Sequence, residues 1–153
     1  MSVTVNKTIA RRFFDEVLAR PSERAVDELI APGAVVCTPT GRFIGPEGVK
    51  RASAQIGSTF PDRRVEIQAL VAEGNQVAAE WTLCGTQKRE RLGVPPIGRW
   101  ECISALSLFR VEDGKIVEHR MTEGVPALNY FQPDASRCWT SSTGKRAERN
   151  LNS

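Results

Sequence analysis

The feature that most constrains this fold is a change of hydrophobic period at Pro61-Asp62. Before this point, apolar residues recur at the three-to-four-residue spacing of amphipathic helices. After it, from Val65 onward, they alternate with polar residues, as they do in half-buried strands. Helices followed by strands are typical of an α+β domain, in which the helices cover one face of one sheet.

Three helices are predicted ahead of the change of period. The first carries, at helical spacing, Ile9, Phe13, Phe14, Val17 and Leu18. It should end at Arg20, because a residue before proline avoids the helical conformation. A short second helix follows from Pro21 to Ile30, and a third begins at residues 45–48 and closes at Pro61.

The strand pattern predicts a meander of antiparallel strands. The candidate strands are residues 34–39, 65–71, 77–84, 100–111 and 116–123. Asp113-Gly114 predicts a tight hairpin between the last two, because these residues accept the positive φ angles of such a turn. The sheet is apolar on both faces, so it needs a cover on each side. Helices supply one cover, and we expect a second subunit, in a homodimer, to supply the other.

Charge and composition exclude several classes of protein. Lys plus Arg is 21 and Asp plus Glu is 18, so the net charge of +3 gives no reason to expect a nucleic-acid partner. The four cysteines form no CxxC pair and there is one histidine, which argues against a zinc site and a disulfide-rich scaffold. No apolar run reaches signal-peptide or membrane-spanning length. We therefore expect a reduced, cytoplasmic protein without membrane contact.

The chain is long enough for one domain, which we place at residues 1–131. A short closing helix is predicted from Pro126 to Phe131. Residues 132–153 are polar, with Trp139 as their one large apolar group. They form either a loose tail or an arm whose Trp139 anchors on a partner subunit or caps a pocket.

Four stretches of the chain carry a family resemblance. They are GPEGVKR (45–51), FPDRRVEIQALVAEGNQVAAEWTLCGT (60–86), LGVPPIGR (92–99) and LFRVEDGKIVEHR (108–120). In this order and spacing, residues 28–131 resemble the SnoaL-like polyketide cyclase group of the nuclear-transport-factor-2-like superfamily. The resemblance implies a cone-shaped, curved antiparallel sheet with three N-terminal helices that enclose a pocket. It also implies a small apolar substrate, no bound metal and no organic cofactor.

The chain departs from the family pattern at two places that bear on catalysis. Many relatives have a carboxylate on the strand before the third helix, where this chain has Thr38. At the end of the last strand, the family's aspartates fall on Met121 and Gly124, and its usual tryptophan is Arg120. Glu123 is the only acid left beside these positions.

Proton transfer next to a carbonyl needs a base and a hydrogen-bond donor aimed at the developing oxyanion. In a strand, His119, Met121 and Glu123 point to one face. We predict that Glu123 is the base, if burial makes its carboxylate more basic, and that His119 is the donor or a proton shuttle. Met121 is then an apolar wall. The alternative is an exposed His119 that pairs with Glu118 or Arg120.

Further substrate contacts are predicted around these two residues. The candidates are Phe13, Phe14, Val17 and Phe60 at an apolar mouth, together with Thr38, Trp81, Ser107, Arg120 and Met121. For the aromatic and aliphatic residues and for Ser107, packing in the core is the competing interpretation.

The function that the family resemblance implies, together with these residues, is cofactor-independent chemistry on a small, apolar carbonyl compound. Relatives close polyketide rings by intramolecular aldol chemistry, so ring closure or isomerisation in secondary metabolism is the first hypothesis. A cofactor-free hydroxylase or epoxide hydrolase is the alternative within enzymes, since fold alone does not choose among these. A non-catalytic binding protein that has lost the aspartates is a second class, and a partner-binding module on the convex sheet face is a third.

Overall fold

A computed structural model describes residues 2–96 and 98–124 of the chain. It confirms the α+β class, with α1 (Val3–Phe13), a π-helix (Phe14–Ala19), α2 (Glu23–Leu29) and α3 (Gly45–Thr59). The predicted closing helix at 126–131 and the tail at 132–153, with Trp139, lie outside the described residues. In the described part of the chain, no helix has the length and apolar character that crossing a membrane requires.

The helices pack on one curved sheet of six strands. The strands are β1 (Ile30–Thr38), β2 (Gly41–Ile44), β3 (Arg64–Glu73), β4 (Gln76–Thr86), β5 (Trp100–Glu112) and β6 (Lys115–Glu123). Their order across the sheet is β2-β1-β6-β5-β4-β3, so β2 and β3 are its edges and the sheet does not close.

One pairing corrects the prediction of a purely antiparallel sheet. β1 pairs with β6 in parallel, with Val36 opposite His119, so the sheet is mixed. The pairing joins the helical half of the chain to its last strand, which places β1 beside the site residues of β6. Bulges next to Ile67, Arg110 and Ile30 interrupt the register of their strands, and bulges bend strands locally.

The alternation read from the sequence fixes the two faces of the sheet. In β4, buried Val77, Ala79, Trp81 and Leu83 face the helices. The β5–β6 turn has Asp113 at φ 50° and Gly114 at φ 76°, which confirms the predicted hairpin. The face toward the helices is called the concave face below, and the other the convex face.

Gly45 sets the entry into α3. Its φ is +65°, and a Cβ at this position would lie 2.5 Å from the carbonyl oxygen of Pro32. Any other residue would therefore have to move the β1 backbone. Pro46 follows in the first turn of the helix, where its missing N–H costs nothing.

The cysteines differ from the prediction. Cys84 on β4 and Cys102 on β5 lie opposite each other and form a disulfide, whereas we expected a reduced protein. Both belong to the convex face, so neither lines the space between helices and sheet. Cys37 is a free thiol.

Candidate active site

A small apolar cavity lies between the helices and the concave face of the sheet. Its volume is about 60 Å³, room for a few water molecules and well below the roughly 300–1,000 Å³ of typical small-molecule sites. The apolar lining comes from Phe13, Val17, Leu18, Val36, Val49, Ala52, Ile56, Phe60, Trp81, Leu83, Ile103 and Met121. The polar lining comes from Thr38, Thr40, Ser53, Arg91, His119 and Glu123. A substrate larger than a few heavy atoms must therefore widen this space.

Phe13 at the end of α1 and Val17 and Leu18 of the π-helix bring apolar side chains to the cavity. Phe13 and Phe14 are both buried although they are adjacent in sequence, and their rings meet edge to face. Val17 is near the C-terminal end of the π-helix, and its backbone carbonyl accepts a 2.6 Å hydrogen bond from the Ser53 hydroxyl on α3. This bond ties α3 to the N-terminal helices beside the cavity.

His119 is the buried titratable group of the site. The residue is 3% exposed. The Phe109 ring stacks on one face of the imidazole, with 4.3 Å between ring centroids, and the Phe13 ring meets the imidazole edge-on, with 5.0 Å between centroids. Burial lowers the pKa of His119 to about 3, because the charged ring loses its water without gaining a negative partner. The imidazole is therefore neutral at physiological pH.

Two neighbouring strands hold the imidazole through hydrogen bonds. Ser107 Oγ on β5 lies 2.8 Å from His119 Nε2. The same oxygen accepts a 2.9 Å hydrogen bond from Trp81 Nε1 on β4. The other ring nitrogen, His119 Nδ1, is buried and has no partner among the residues that the structure describes.

Glu123 lies two positions beyond Met121 on the same strand and is held by a cation. Arg91 binds both of its carboxylate oxygens, one of them at 2.7 Å, and the two side chains are only 10% and 11% exposed. Both residues line the cavity. Each oxygen of the predicted base therefore already accepts a hydrogen bond from a nearly buried cation, which competes with a substrate proton.

Arg91 is the site residue that the sequence analysis missed. It lies in the loop between β4 and β5, where a bridge to Val94 forms a small turn. Gln87 braces the turn by donating from Nε2 to the carbonyls of Arg89 and Val94. A loop has no hydrophobic period, so no signal in the sequence distinguished Arg91 from the neighbouring charged residues.

The structure brings most of the predicted site residues to the cavity. They are His119, Glu123, Phe13, Val17, Thr38, Phe60, Trp81 and Met121. Phe14 and Ser107 are buried next to the cavity without lining it. Arg120 is on the convex face, where it pairs with Glu118, and it does not line the cavity. The alternative of an exposed His119 is wrong, because the residue is buried.

Acidic, histidine and cysteine side chains do not gather in groups of three or more within residues 2–96 and 98–124. The polar groups of the cavity are instead one neutral imidazole, one ion pair and three hydroxyl groups. Such a set can donate and accept hydrogen bonds and, once Arg91 moves, offer a carboxylate base.

Comparison with protein families finds a match over most of the chain. The family model described as SnoaL-like polyketide cyclase matches residues 8–126, more than half of the chain. None of the curated proteins matches the chain.

Solved structures share the fold. A proposed SnoaL-like polyketide cyclase from Jannaschia sp. CCS1 is 26% identical, with a TM-score of 0.71, and the match covers 84% of this chain and 90% of that one. IdmH, a proposed polyketide cyclase from Streptomyces antibioticus, is 28% identical over 77% of this chain and 91% of its own, with a TM-score of 0.66. AclR, a proposed hydroxylase from Streptomyces galilaeus, is 20% identical over 87% and 98%, with a TM-score of 0.68, and shows likeness of fold alone.

Proposed function

Because the chain belongs to the SnoaL-like polyketide cyclase family, we propose that it is a cofactor-independent enzyme that closes a ring in a small, apolar polyketide-type substrate by an intramolecular aldol reaction. His119 and Glu123 are the proposed catalytic residues, and the apolar cavity is the proposed substrate site. The chemistry of that cavity supports the proposal, as does the spacing of the two residues on β6.

The spacing of His119 and Glu123 is the observation that carries the proposal. They are four residues apart on one face of one strand, so their Cα atoms are roughly 13 Å apart. Side chains at this separation can reach opposite sides of one small substrate, Glu123 at the carbon that loses a proton and His119 at a carbonyl oxygen. The spacing therefore supports acid/base chemistry on a carbonyl compound, and the family match favours ring closure over isomerisation.

The proposed reaction assigns one role to each residue. Glu123 takes the proton from the carbon beside one carbonyl, and the electron pair released forms the new bond to the second carbonyl carbon. His119 donates a hydrogen bond to the oxygen of that second carbonyl, on which negative charge develops. The alkoxide then takes up a proton and Glu123 releases one, so the reaction needs no oxidant or reductant.

Arg91 makes the site conditional on substrate binding. In the closed arrangement it occupies both oxygens of Glu123, and the cavity is too small for a ring-forming substrate. Entry of substrate beside Glu123 displaces the Arg91 guanidinium. This displacement frees the carboxylate base and enlarges the cavity at the same time. We propose that displaced Arg91 remains beside the substrate and pairs with its polar end.

A binding protein is the second candidate function, favoured by the closed Arg91–Glu123 pair and by the absence of the family's aspartates at Met121 and Gly124. Incubation with a diketone that can close by aldol condensation separates the two. The enzyme proposal predicts accumulation of the cyclised product above the buffer rate, measured by chromatography. Saturable binding in calorimetry without conversion would support the binding protein, and oxygen uptake would support a hydroxylase.

The homodimer also remains a proposal, and the convex face supports it. Val71 on β3 is 62% exposed and Leu106 on β5 is 58% exposed. They border a groove of about 610 Å³ together with Ala69, Ala78 and Leu108. Burying these apolar side chains against a second copy would remove them from water.

A cytoplasmic location is a proposal that the disulfide weighs against. Cys84 and Cys102 are paired, and the reducing cytosol seldom preserves structural disulfides. Trapping of thiols in freshly lysed cells tests the location. Free Cys84 and Cys102 in the trapped protein would fit the cytoplasm, and a disulfide in nearly all molecules would contradict it.

A further inference from the structure

Three buried polar groups on neighbouring strands form a chain that ends at the candidate site. Trp81, Ser107 and His119 come from β4, β5 and β6, and each side chain is at most 4% exposed. The Ser107 hydroxyl lies within hydrogen-bond distance of both the Trp81 indole and the His119 imidazole. The proposed function uses only the last of the three residues, which leaves the purpose of the other two open.

The direction of these hydrogen bonds follows from the number of protons available. An indole nitrogen can only donate, so Ser107 Oγ accepts from Trp81 at 2.9 Å. Ser107 has one hydroxyl proton, and among the described residues its only other partner is His119 Nε2 at 2.8 Å. If Nε2 carried a proton and donated it, the serine hydroxyl would be buried without an acceptor, at a cost of about 1–3 kcal/mol.

The opposite arrangement leaves only Nδ1 of His119 without a partner in the described residues. When Ser107 donates to Nε2, the indole, the hydroxyl and Nε2 each have a partner. A neutral imidazole carries one proton, which must then be on Nδ1. Burial keeps the ring neutral, since it lowers the pKa of His119 to about 3. The stacked Phe109 and the edge of Phe13 hold the ring in this orientation.

We propose that Trp81 and Ser107 are positioning residues that fix His119 as the tautomer protonated on Nδ1, which makes Nδ1 a hydrogen-bond donor for the substrate. Nδ1 is buried and lacks a partner in the described part of the chain. A ligand that forms the missing hydrogen bond with Nδ1 must offer an acceptor, such as a ketone, enolate or phenolate oxygen. This choice of ligand rests on the proposed function, whereas the tautomer is a property of the protein alone.

The single histidine of the chain makes the tautomer directly measurable. In tag-free, ¹⁵N-labelled protein, long-range proton–nitrogen correlation spectra identify which ring nitrogen carries hydrogen. The proposal predicts a protonated Nδ1 and a bare Nε2, unchanged between about pH 5 and pH 8. A wild-type spectrum with the proton on Nε2, or with a charged ring in this range, would overturn it. The measurement needs no substrate, so it is independent of the proposed activity.

Variants separate the hydrogen-bond chain from simple packing. Ser107→Ala removes the donor to Nε2, and the Nδ1 tautomer should lose its majority. Trp81→Phe keeps the serine but frees its hydroxyl, and both tautomers should be populated. Ser104→Ala on the same strand is the matched control, since Ser104 belongs to the convex face, and it should leave the spectrum unchanged. A folded Ser107→Ala protein with the wild-type tautomer would contradict the assigned role.

A pair of small probes tests the ligand. Cyclopentanone and methylenecyclopentane have nearly the same shape, but only the ketone accepts a strong hydrogen bond. The ketone should shift the Nδ1 resonance of the wild-type protein, and the hydrocarbon should not. Equal effects of the two probes, including no effect of either, would overturn the acceptor requirement while leaving the measured tautomer in place. Turnover of a diketone is measured in a separate experiment. Failure of the proposed aldol activity can therefore be distinguished from failure of the proposed Nδ1 hydrogen bond.

Discussion

Arg91 and Glu123 form a two-point ion pair that connects the β4–β5 loop to the end of β6. The two residues are 32 positions apart in sequence and nearly buried where they meet. Both residues line the cavity, and Arg91 contacts the carboxylate that the family resemblance singles out as the remaining acid. The structure therefore contains the candidate base paired with a cation that comes from a loop.

Removing one partner of the Arg91–Glu123 ion pair should destabilise the protein, because the other charge is then buried without a partner. Arg91→Gln or Glu123→Gln leaves one buried charge alone, and each should lower the free energy of unfolding by roughly 3 kcal/mol. The double variant should cost clearly less than the sum, because no lone charge remains. Urea denaturation of the four proteins measures this coupling. Strictly additive losses would mean that the two side chains do not interact.

Burial of His119 should make stability depend on pH. Its pKa is about 3 in the folded protein and about 6.5 when unfolded, so the unfolded chain binds the extra proton between these values. The stabilisation is therefore present above about pH 6.5 and is lost as the pH falls toward 3, with a slope of up to about 1.4 kcal/mol per pH unit.

His119→Gln isolates this dependence from that of the carboxylates. Glutamine does not titrate and can still accept a hydrogen bond from Ser107. The curve of unfolding free energy against pH should be flatter for the variant than for the wild type below about pH 6.5. Arg91 and Glu123, the charged residues of the same cavity, are present in both proteins. Parallel curves would show that His119 titrates normally.

Local signals in the sequence were sufficient for most of the fold. The change of period at Pro61-Asp62 separates helices from strands, and Asp113-Gly114 forms the predicted turn. What was missed depends on contacts between distant segments. The parallel β1–β6 pairing joins residues far apart in the chain, and β2 is only four residues long. A short strand of this kind has too few residues to show a period.

The site was only partly predictable for the same reason. Strand alternation placed His119 and Glu123 on one face, because that property is local to β6. The partner of each residue comes from elsewhere, Ser107 from β5 and Arg91 from a loop. The disulfide pairing of Cys84 with Cys102 depends on the register between β4 and β5, and their sequence separation of 18 residues does not reveal that register.

The disulfide should stabilise the fold by restricting the unfolded chain. Closing a loop of 18 residues is worth about 3 kcal/mol in the chain-entropy account. The double variant Cys84→Ser/Cys102→Ser should lose that amount in urea denaturation under non-reducing conditions. Cys37→Ser, which removes the free thiol, should change stability far less. Equal stability of the double variant and the wild type would show that the bond contributes nothing.

Charge on the convex face should prevent the proposed dimer. Leu106→Glu places a carboxylate in the middle of the apolar groove, where a second copy would have to bury it. Sedimentation should report a dimer for the wild type and a monomer for this variant. Val5→Glu, at an exposed apolar position on α1, is the control and should remain dimeric. A monomeric wild type would contradict the dimer outright.

The most direct test of the account is turnover of a ring-closing diketone by proteins altered on the two faces of β6. His119→Ala and Glu123→Gln remove the proposed donor and base, and each should lower kcat by roughly 10²–10⁴-fold. Glu118→Gln, on the opposite face of the same strand, should keep nearly wild-type kcat. If the wild type turns over the diketone and both cavity variants do so at its rate, the catalytic chemistry does not take place at His119 and Glu123.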